Sequence, residues 1–185
     1  MSEIENLLKE ASGLYRSGRI KEAVVLGRRI LDRDPTHGGA LLLMGRISLE
    51  AGKPGPAADL FARALAAGAD KTEGLLGLGC ALMVEGRVEE AMNRIGEALA
   101  LSVSLGVDEL ETIIRWCRSA LEETPDLPSA HFVLGQALKA AGRFDEALLS
   151  HRRALRFDAS YARKGDTPEA VRLLSQGEIA KGWLA

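Results

Sequence analysis

Four glycines recur along the chain with similar neighbours, and the first three are separated by a constant interval. Gly18, Gly52 and Gly86 are spaced 34 residues apart, and Gly142 follows 56 residues later, which is 34 plus 22. A basic residue follows each glycine: Arg19, Lys53, Arg87 and Arg143. A fixed period of about 20 to 50 residues is typical of stacked structural repeats. The sequence therefore predicts an all-α chain of helical hairpins, each turning at one of these glycines.

Small residues recur at fixed distances from the turn glycines. Seven residues before them stand Ala11, Gly45, Gly79 and Gly135, and five residues after them stand Ala23, Ala57, Ala91 and Ala147. A glycine inside a helix costs roughly 1 kcal/mol relative to alanine, so three at one register need a structural reason. Close approach of the two antiparallel helices of a hairpin supplies that reason. Apolar residues at helical spacing, such as Leu41, Leu75 and Phe61, are expected to form the core between the helices.

At these residues the chain resembles the tetratricopeptide repeat family. The resemblance covers residues 4–105 as three contiguous repeats and residues 128–161 as a fourth. It implies a right-handed α-solenoid of helical hairpins. Two departures stand out: the proline that usually closes such a repeat is present only as Pro35, and Gly27 occupies a place where a bulky residue is usual.

The 34-residue period breaks between the third and fourth hairpins, at residues 106–127. Asp108 is expected to cap an extra helix of about residues 109–123, whose apolar face ends at Leu121. Two interpretations stay open. An odd helix reverses the chain direction, so the fourth hairpin is displaced or inverted. Alternatively, this is a degenerate repeat in which the preceding helix doubles as its first helix.

The carboxyl-terminal residues 162–185 are expected to form a capping helix and a tail on the same structural domain. Terminal repeats need an element with a polar outer face, and Pro168 is suited to the first turn of such a helix. The tail carries Ile179, Trp183 and Leu184 on one helical face. These residues suggest that the tail docks into a groove, either the chain's own or that of a second copy in a homodimer.

Composition argues against several classes of partner. With 24 basic and 26 acidic residues, the net charge of −2 gives no basic excess for nucleic acid. No apolar run approaches the ~18 residues that a membrane-spanning helix requires. Cys80 and Cys117 are isolated in the sequence, which favours a reducing, cytoplasmic setting.

Motifs for catalysis, cofactors or metals are absent from the sequence. It has no glycine-rich phosphate loop, no nucleophile elbow and no pair of metal-binding histidines on a helix. The interpretation is therefore a non-enzyme without cofactor. The alternative is a regulatory or small enzymatic module near the irregular joint, with Cys117 as nucleophile and His131 close to it.

The family resemblance implies that first helices line a concave face on which a protein partner binds. The binding residues expected on this face are Leu8, Ser12, Tyr15, Arg16, Leu42, Arg46, Leu49, Leu76, Cys80, Met83, Phe132 and Gln136. Leu8 and Ser12 stand where relatives that clamp a terminal carboxylate have lysine and asparagine, so no carboxylate clamp is expected. The set is mainly apolar. It indicates a scaffold that binds a peptide or an amphipathic helix, unless curvature buries the apolar stripe within the protein itself.

Overall fold

The computed structural model describes residues 3–101 and 105–163, and this part of the chain is helical without strands. The helices are α1 Glu3–Arg16, α2 Ile20–Arg33, α3 Gly38–Glu50, α4 Pro54–Ala66, α5 Lys71–Val84, α6 Val88–Leu101, α7 Val107–Glu123, α8 Pro128–Ala140 and α9 Phe144–Phe157, followed by a 3-10 helix, Ala159–Arg163. Helices adjacent in sequence pack as α1 with α2, α3 with α4 and α8 with α9. The predicted all-α solenoid of hairpins is confirmed.

The four predicted turns share one backbone geometry. Each turn glycine has a φ between 69° and 77°, a left-handed conformation that residues with a side chain rarely adopt. The N–H of Gly86 donates to the carbonyl of Met83, and the N–H of Arg87 donates to Leu82. This is the Schellman motif that ends a helix. It explains why the glycine cannot be replaced by another small residue at this position.

The helix α4 ends differently from α2, because the chain lacks a proline there. After α2 the chain turns at Pro35, with Asp34 in an extended conformation. After α4, Gly68 adopts a φ of 75°, and its N–H donates to the carbonyl of Leu65. A left-handed glycine therefore ends the helix where the family's closing proline is missing.

The small residues inside the first helices make room for rings from the second helices. A Cβ atom built on Gly45 would lie 2.9 Å from Cε1 of Phe61, and one on Gly77 would lie 2.4 Å from the same atom. Phe61 is therefore held between two glycines of the flanking helices α3 and α5. In the fourth hairpin, a Cβ on Gly135 would lie 2.7 Å from Cε1 of His151. The close approach expected at this register is that of a helix backbone to a ring.

The predicted start of the extra helix is wrong by two residues. Helix α7 begins at Val107 with Gly106 as its N-cap, so Asp108 lies inside the first turn. The Glu109 carboxylate accepts a hydrogen bond of 2.7 Å from the N–H of Gly106. This contact satisfies a backbone donor that would otherwise lack a partner at the helix start. The predicted apolar face is buried from Leu110 to Cys117, and Leu121 is half-buried.

Helix α7 has the register of a second helix. Its buried residues Ile113, Cys117 and Ala120 each precede a buried residue of α9 by 34 positions, namely Ala147, His151 and Ala154. It also packs against α8, as α4 packs against α5. The 34-residue interval therefore resumes after a single helix, which is the arrangement expected of a degenerate repeat.

The chain forms two compact units that divide between Arg94 and Ile95, and each is described separately below. The expected division into three hairpins, an extra helix and a fourth hairpin within one structural domain stays a prediction. The predicted cap and tail, including Trp183 and Leu184, lie outside the described residues, apart from the end of the 3-10 helix.

Candidate functional site

The first unit presents a continuous surface built from α1, α3 and α5, here called the first-helix face. Its residues stand 13, 10, 6, 3 and 2 positions before the turn glycines, and these positions share one side of a helix. Contacts between neighbouring helices hold the surface together. A Cβ on Gly39 of α3 would lie 2.7 Å from Cδ2 of Leu8 on α1, so the two helices touch there.

Two polar contacts also connect the helices of this face. The hydroxyl of Tyr15 on α1 donates to Glu50 on α3. The guanidinium of Arg46 on α3 pairs with Glu73 on α5. Burial and this hydrogen bond to Glu50 raise the pKa of Tyr15 above its ordinary value. The tyrosine therefore stays protonated and keeps donating across the physiological pH range.

The predicted site residues of the first unit differ in exposure. Those that are half-buried are Leu8, Ser12, Tyr15, Leu49, Leu76, Cys80 and Met83. Arg16 and Arg46 are exposed. Leu42 is only 5% exposed and belongs to a core cluster with Leu41 and Phe61, so it offers little surface to a partner.

The predicted site residues of the fourth hairpin lie in the interior of the second unit. Every residue of α8 from Ser129 to Leu138 is buried. The ring of Phe132 packs against those of His151 and Tyr161, at centroid distances of 5.4 and 5.1 Å. The Oε1 atom of Gln136 lies 3.4 Å from the position of a Cβ on Gly96. These two side chains support packing within the second unit.

Three residues of the first-helix face were not singled out from the sequence. Glu73 stands 13 residues before its turn glycine, and Glu50 and Val84 stand two residues before theirs. The side chain of Val84 is 66% exposed. Counting two positions back from each turn glycine, where Arg16 was already found, would have identified Glu50 and Val84.

Neither member of the alternative catalytic pair has the properties of a reactive group. Cys117 is fully buried, and burial raises the pKa of its thiol to about 12. His131 is 3% exposed, and its Nε2 atom donates to the carbonyl of Pro125 at 2.8 Å. Burial lowers the pKa of His131. A nucleophilic cysteine needs an accessible thiolate, and this environment disfavours one.

Among residues 3–101 and 105–163, no three His, Cys, Asp or Glu side chains come together as a metal ion would require. In the same part of the chain, no helix combines the length and apolar character needed to cross a membrane.

The stacked hairpins and their left-handed glycine turns define the chain as a helical repeat protein. Tetratricopeptide repeat family profiles match residues 14–71 and residues 115–162, which together make up more than half of the chain. The chain belongs to the tetratricopeptide repeat family. Proteins of this family are typically non-catalytic repeat scaffolds, and membership supports a protein-interaction scaffold in general terms. A search of curated protein sequences finds no match.

Several solved structures share this fold. A MamA protein has 18% sequence identity and a TM-score of 0.51, covering 89% of this chain and 96% of its own. YrrB has 16% identity and a TM-score of 0.50, covering 92% of this chain and 90% of its own. PilF of Pseudomonas aeruginosa has 19% identity and a TM-score of 0.50, covering 94% of this chain and 97% of its own. At these identities the likeness concerns the fold alone.

Proposed function

We propose that this protein is a non-catalytic scaffold that binds a peptide or an amphipathic helix on the first-helix face of its first unit. The observation that carries the proposal is the apolar surface at the end of α5. Val84 is 66% exposed there, beside the half-buried Met83 and close in sequence to Cys80. Burial of such side chains by a partner stabilises a complex, because apolar surface leaves water.

The hydrogen bond and the ion pair between first helices favour a preformed surface. Because Tyr15 bonds to Glu50 and Arg46 pairs with Glu73, three neighbouring helices are connected before any partner arrives. A preformed surface loses less conformational entropy on binding. YrrB, which shares the fold, is described as a tetratricopeptide repeat protein with an unusual peptide-binding site.

The proposal narrows the predicted set of binding residues. It retains the half-buried and exposed members of the first unit and adds Glu50, Glu73 and Val84. It leaves out Leu42, Phe132 and Gln136, because their burial removes them from contact with a partner. It assigns no catalytic role to Cys117 or His131, and no nucleic-acid, membrane or metal ligand. The isolated cysteines favour a cytoplasmic location, and a homodimer through the tail remains a separate proposal.

Affinity capture from the native lysate, quantified by mass spectrometry, tests the proposed face. The variant Val84→Glu places a charge on the face, and Val25→Glu is a matched control because Val25 is 64% exposed on α2. Wild type and Val25→Glu should recover the same partners, and Val84→Glu should lose them. Equal recovery by all three proteins, at equal thermal stability, would contradict the proposal.

A further inference from the structure

The charged groups of the first-helix face are paired with each other, except at one end. Glu50 accepts a hydrogen bond from Tyr15, and Glu73 pairs with Arg46. Arg16 is exposed, and within the described residues its guanidinium has no hydrogen bond and no ion pair. The α1 end of the face therefore carries an uncommitted positive charge.

The opposite end of the face, on α5, is uncharged. Val84 stands at the same register as Arg16 and Glu50, two residues before the turn glycine. Met83 beside it is half-buried. Burial raises the pKa of Cys80 to about 11, so this thiol is neutral at physiological pH and behaves as a small apolar group.

These three residues form a row along the turn end of the face, with one residue on each helix. Arg16 on α1 is a cation, Glu50 on α3 is a carboxylate that already accepts one hydrogen bond, and Val84 on α5 is apolar. Packed helices lie roughly 8–10 Å apart, so the row spans about 20 Å. An extended chain advances about 3.3 Å per residue and crosses this distance in about six residues.

We infer that the ligand of this face is an extended peptide with an acidic side chain over Arg16 and a bulky apolar side chain over Met83 and Val84, about six residues apart. The inference rests on the proposed function and specifies the chemistry of its ligand. The residue midway between these two anchors passes Glu50 and is not acidic, because two neighbouring carboxylates repel each other. The row thus selects by attraction at one end and by repulsion in the middle.

Display of a random twelve-residue peptide library on the wild-type protein tests this inference. Enriched peptides should carry Asp or Glu about six residues from a Leu, Ile, Met or Phe side chain, with Asp and Glu depleted midway. A representative peptide is then synthesised with its acidic residue and with that residue changed to the neutral amide. Fluorescence anisotropy gives the affinity of each peptide at two salt concentrations.

The protein variant for this measurement is Arg16→Glu, with Arg28→Glu as the matched control. Arg28 is an exposed arginine on α2, away from the face, and has no ion pair among the described residues. An exposed ion pair changes affinity by about two- to fivefold, so Arg16→Glu should weaken the acidic peptide at least this much. The loss should shrink at high salt, and the amide peptide should be insensitive to the variant.

The outcomes separate the inference from the proposed function. Peptides that lose affinity for Val84→Glu but bind Arg16→Glu and Arg28→Glu equally would overturn the charge inference and leave the binding face in place. A library that yields no peptide sensitive to Val84→Glu would overturn both. Circular dichroism of Arg16→Glu confirms that the comparison is made between folded proteins.

Discussion

The thioether of Met44 fills the space beside Gly27. A Cβ built on Gly27 would lie 2.7 Å from the Sδ atom of Met44. Gly27 stands nine residues after its turn glycine, where the other hairpins have Phe61, Ile95 and His151. Helix α3 thus supplies the bulk that α2 lacks, so Gly27 leaves no gap in the packing. Methionine suits this role because its flexible side chain adapts to irregular spaces.

This relationship predicts opposite effects for two glycine-to-alanine substitutions. For Gly27→Ala, the helix-propensity gain of about 1 kcal/mol is offset only by a small shift of the flexible Met44 side chain. The free energy of unfolding should stay unchanged or rise by up to about 1 kcal/mol. For Gly135→Ala, the new methyl group meets the fully buried ring of His151, which cannot move away easily. A loss of about 1–3 kcal/mol is expected.

Urea denaturation of the two variants and the wild type measures these effects. A Gly27→Ala protein that loses as much stability as Gly135→Ala would show that Met44 is as rigid as the buried ring.

The N-cap of α5 predicts a second stability effect. The Oδ1 atom of Asp70 accepts a hydrogen bond of 2.8 Å from the backbone N–H of Glu73. Asp70→Ala leaves this donor without its cap and should lower the free energy of unfolding by about 1 kcal/mol. Lys71→Ala, one residue further along, is the control and should have little effect. Equal thermal stability of the two variants would rule out a stabilising cap.

Cysteine reactivity distinguishes the scaffold from the enzymatic alternative. Burial raises the pKa of Cys80 to about 11 and that of Cys117 to about 12, so neither thiol ionises appreciably at neutral pH. Both should react slowly with a thiol-specific disulfide reagent in the native protein and rapidly in urea. Cys80→Ser isolates the signal of Cys117. Rapid labelling of native Cys80→Ser at pH 7 would favour a nucleophilic Cys117.

His131 predicts a loss of stability at mildly acidic pH. Burial lowers the pKa of His131, the hydrogen bond to Pro125 opposes this shift, and the positive charge of Arg153 adds to it. The histidine is therefore neutral in the folded protein at pH values where the unfolded chain begins to bind a proton. Its stabilising contribution is complete above the unfolded value of about 6.5 and is lost as pH falls through the lower folded pKa.

The variant His131→Gln tests this pH dependence, because glutamine has an N–H donor for the Pro125 carbonyl but does not titrate. Between pH 8 and pH 5, urea denaturation should show a smaller decline for His131→Gln than for the wild type. Parallel pH profiles for the two proteins would assign the decline to other groups.

The turns and helices were predictable from the sequence because each depends on local chemistry. Gly86 predicts its own turn, since a left-handed backbone favours glycine, and the small residues at fixed distances predict which sides of the helices are buried. The start of α7 was missed because two candidate caps stood close together. Gly106 has no side chain to signal a cap, and the contact that selects it comes from Glu109, three residues later.

The candidate site was less predictable, because exposure depends on packing between helices distant in sequence. Leu42 and Leu76 occupy equivalent registers, yet Leu42 is buried and Leu76 is half-buried. The sequence also presented Arg16 and Arg46 as equal sources of positive charge. Pairing of Arg46 with Glu73, 27 residues away, separates them, and no local pattern indicates that partnership.

The register of α7 bears on how such an array changes its length. Because the 34-residue spacing restarts after one helix, the packing of α7 onto α8 does not require a complete hairpin upstream. The smallest segment that this architecture tolerates as an insertion or deletion is thus one rod of about 17 residues, the length of α7. Family profiles that span paired rods stop at residue 71 and resume at residue 115. Homologues that differ by an odd number of rods would therefore keep their internal contacts while losing alignment across this gap.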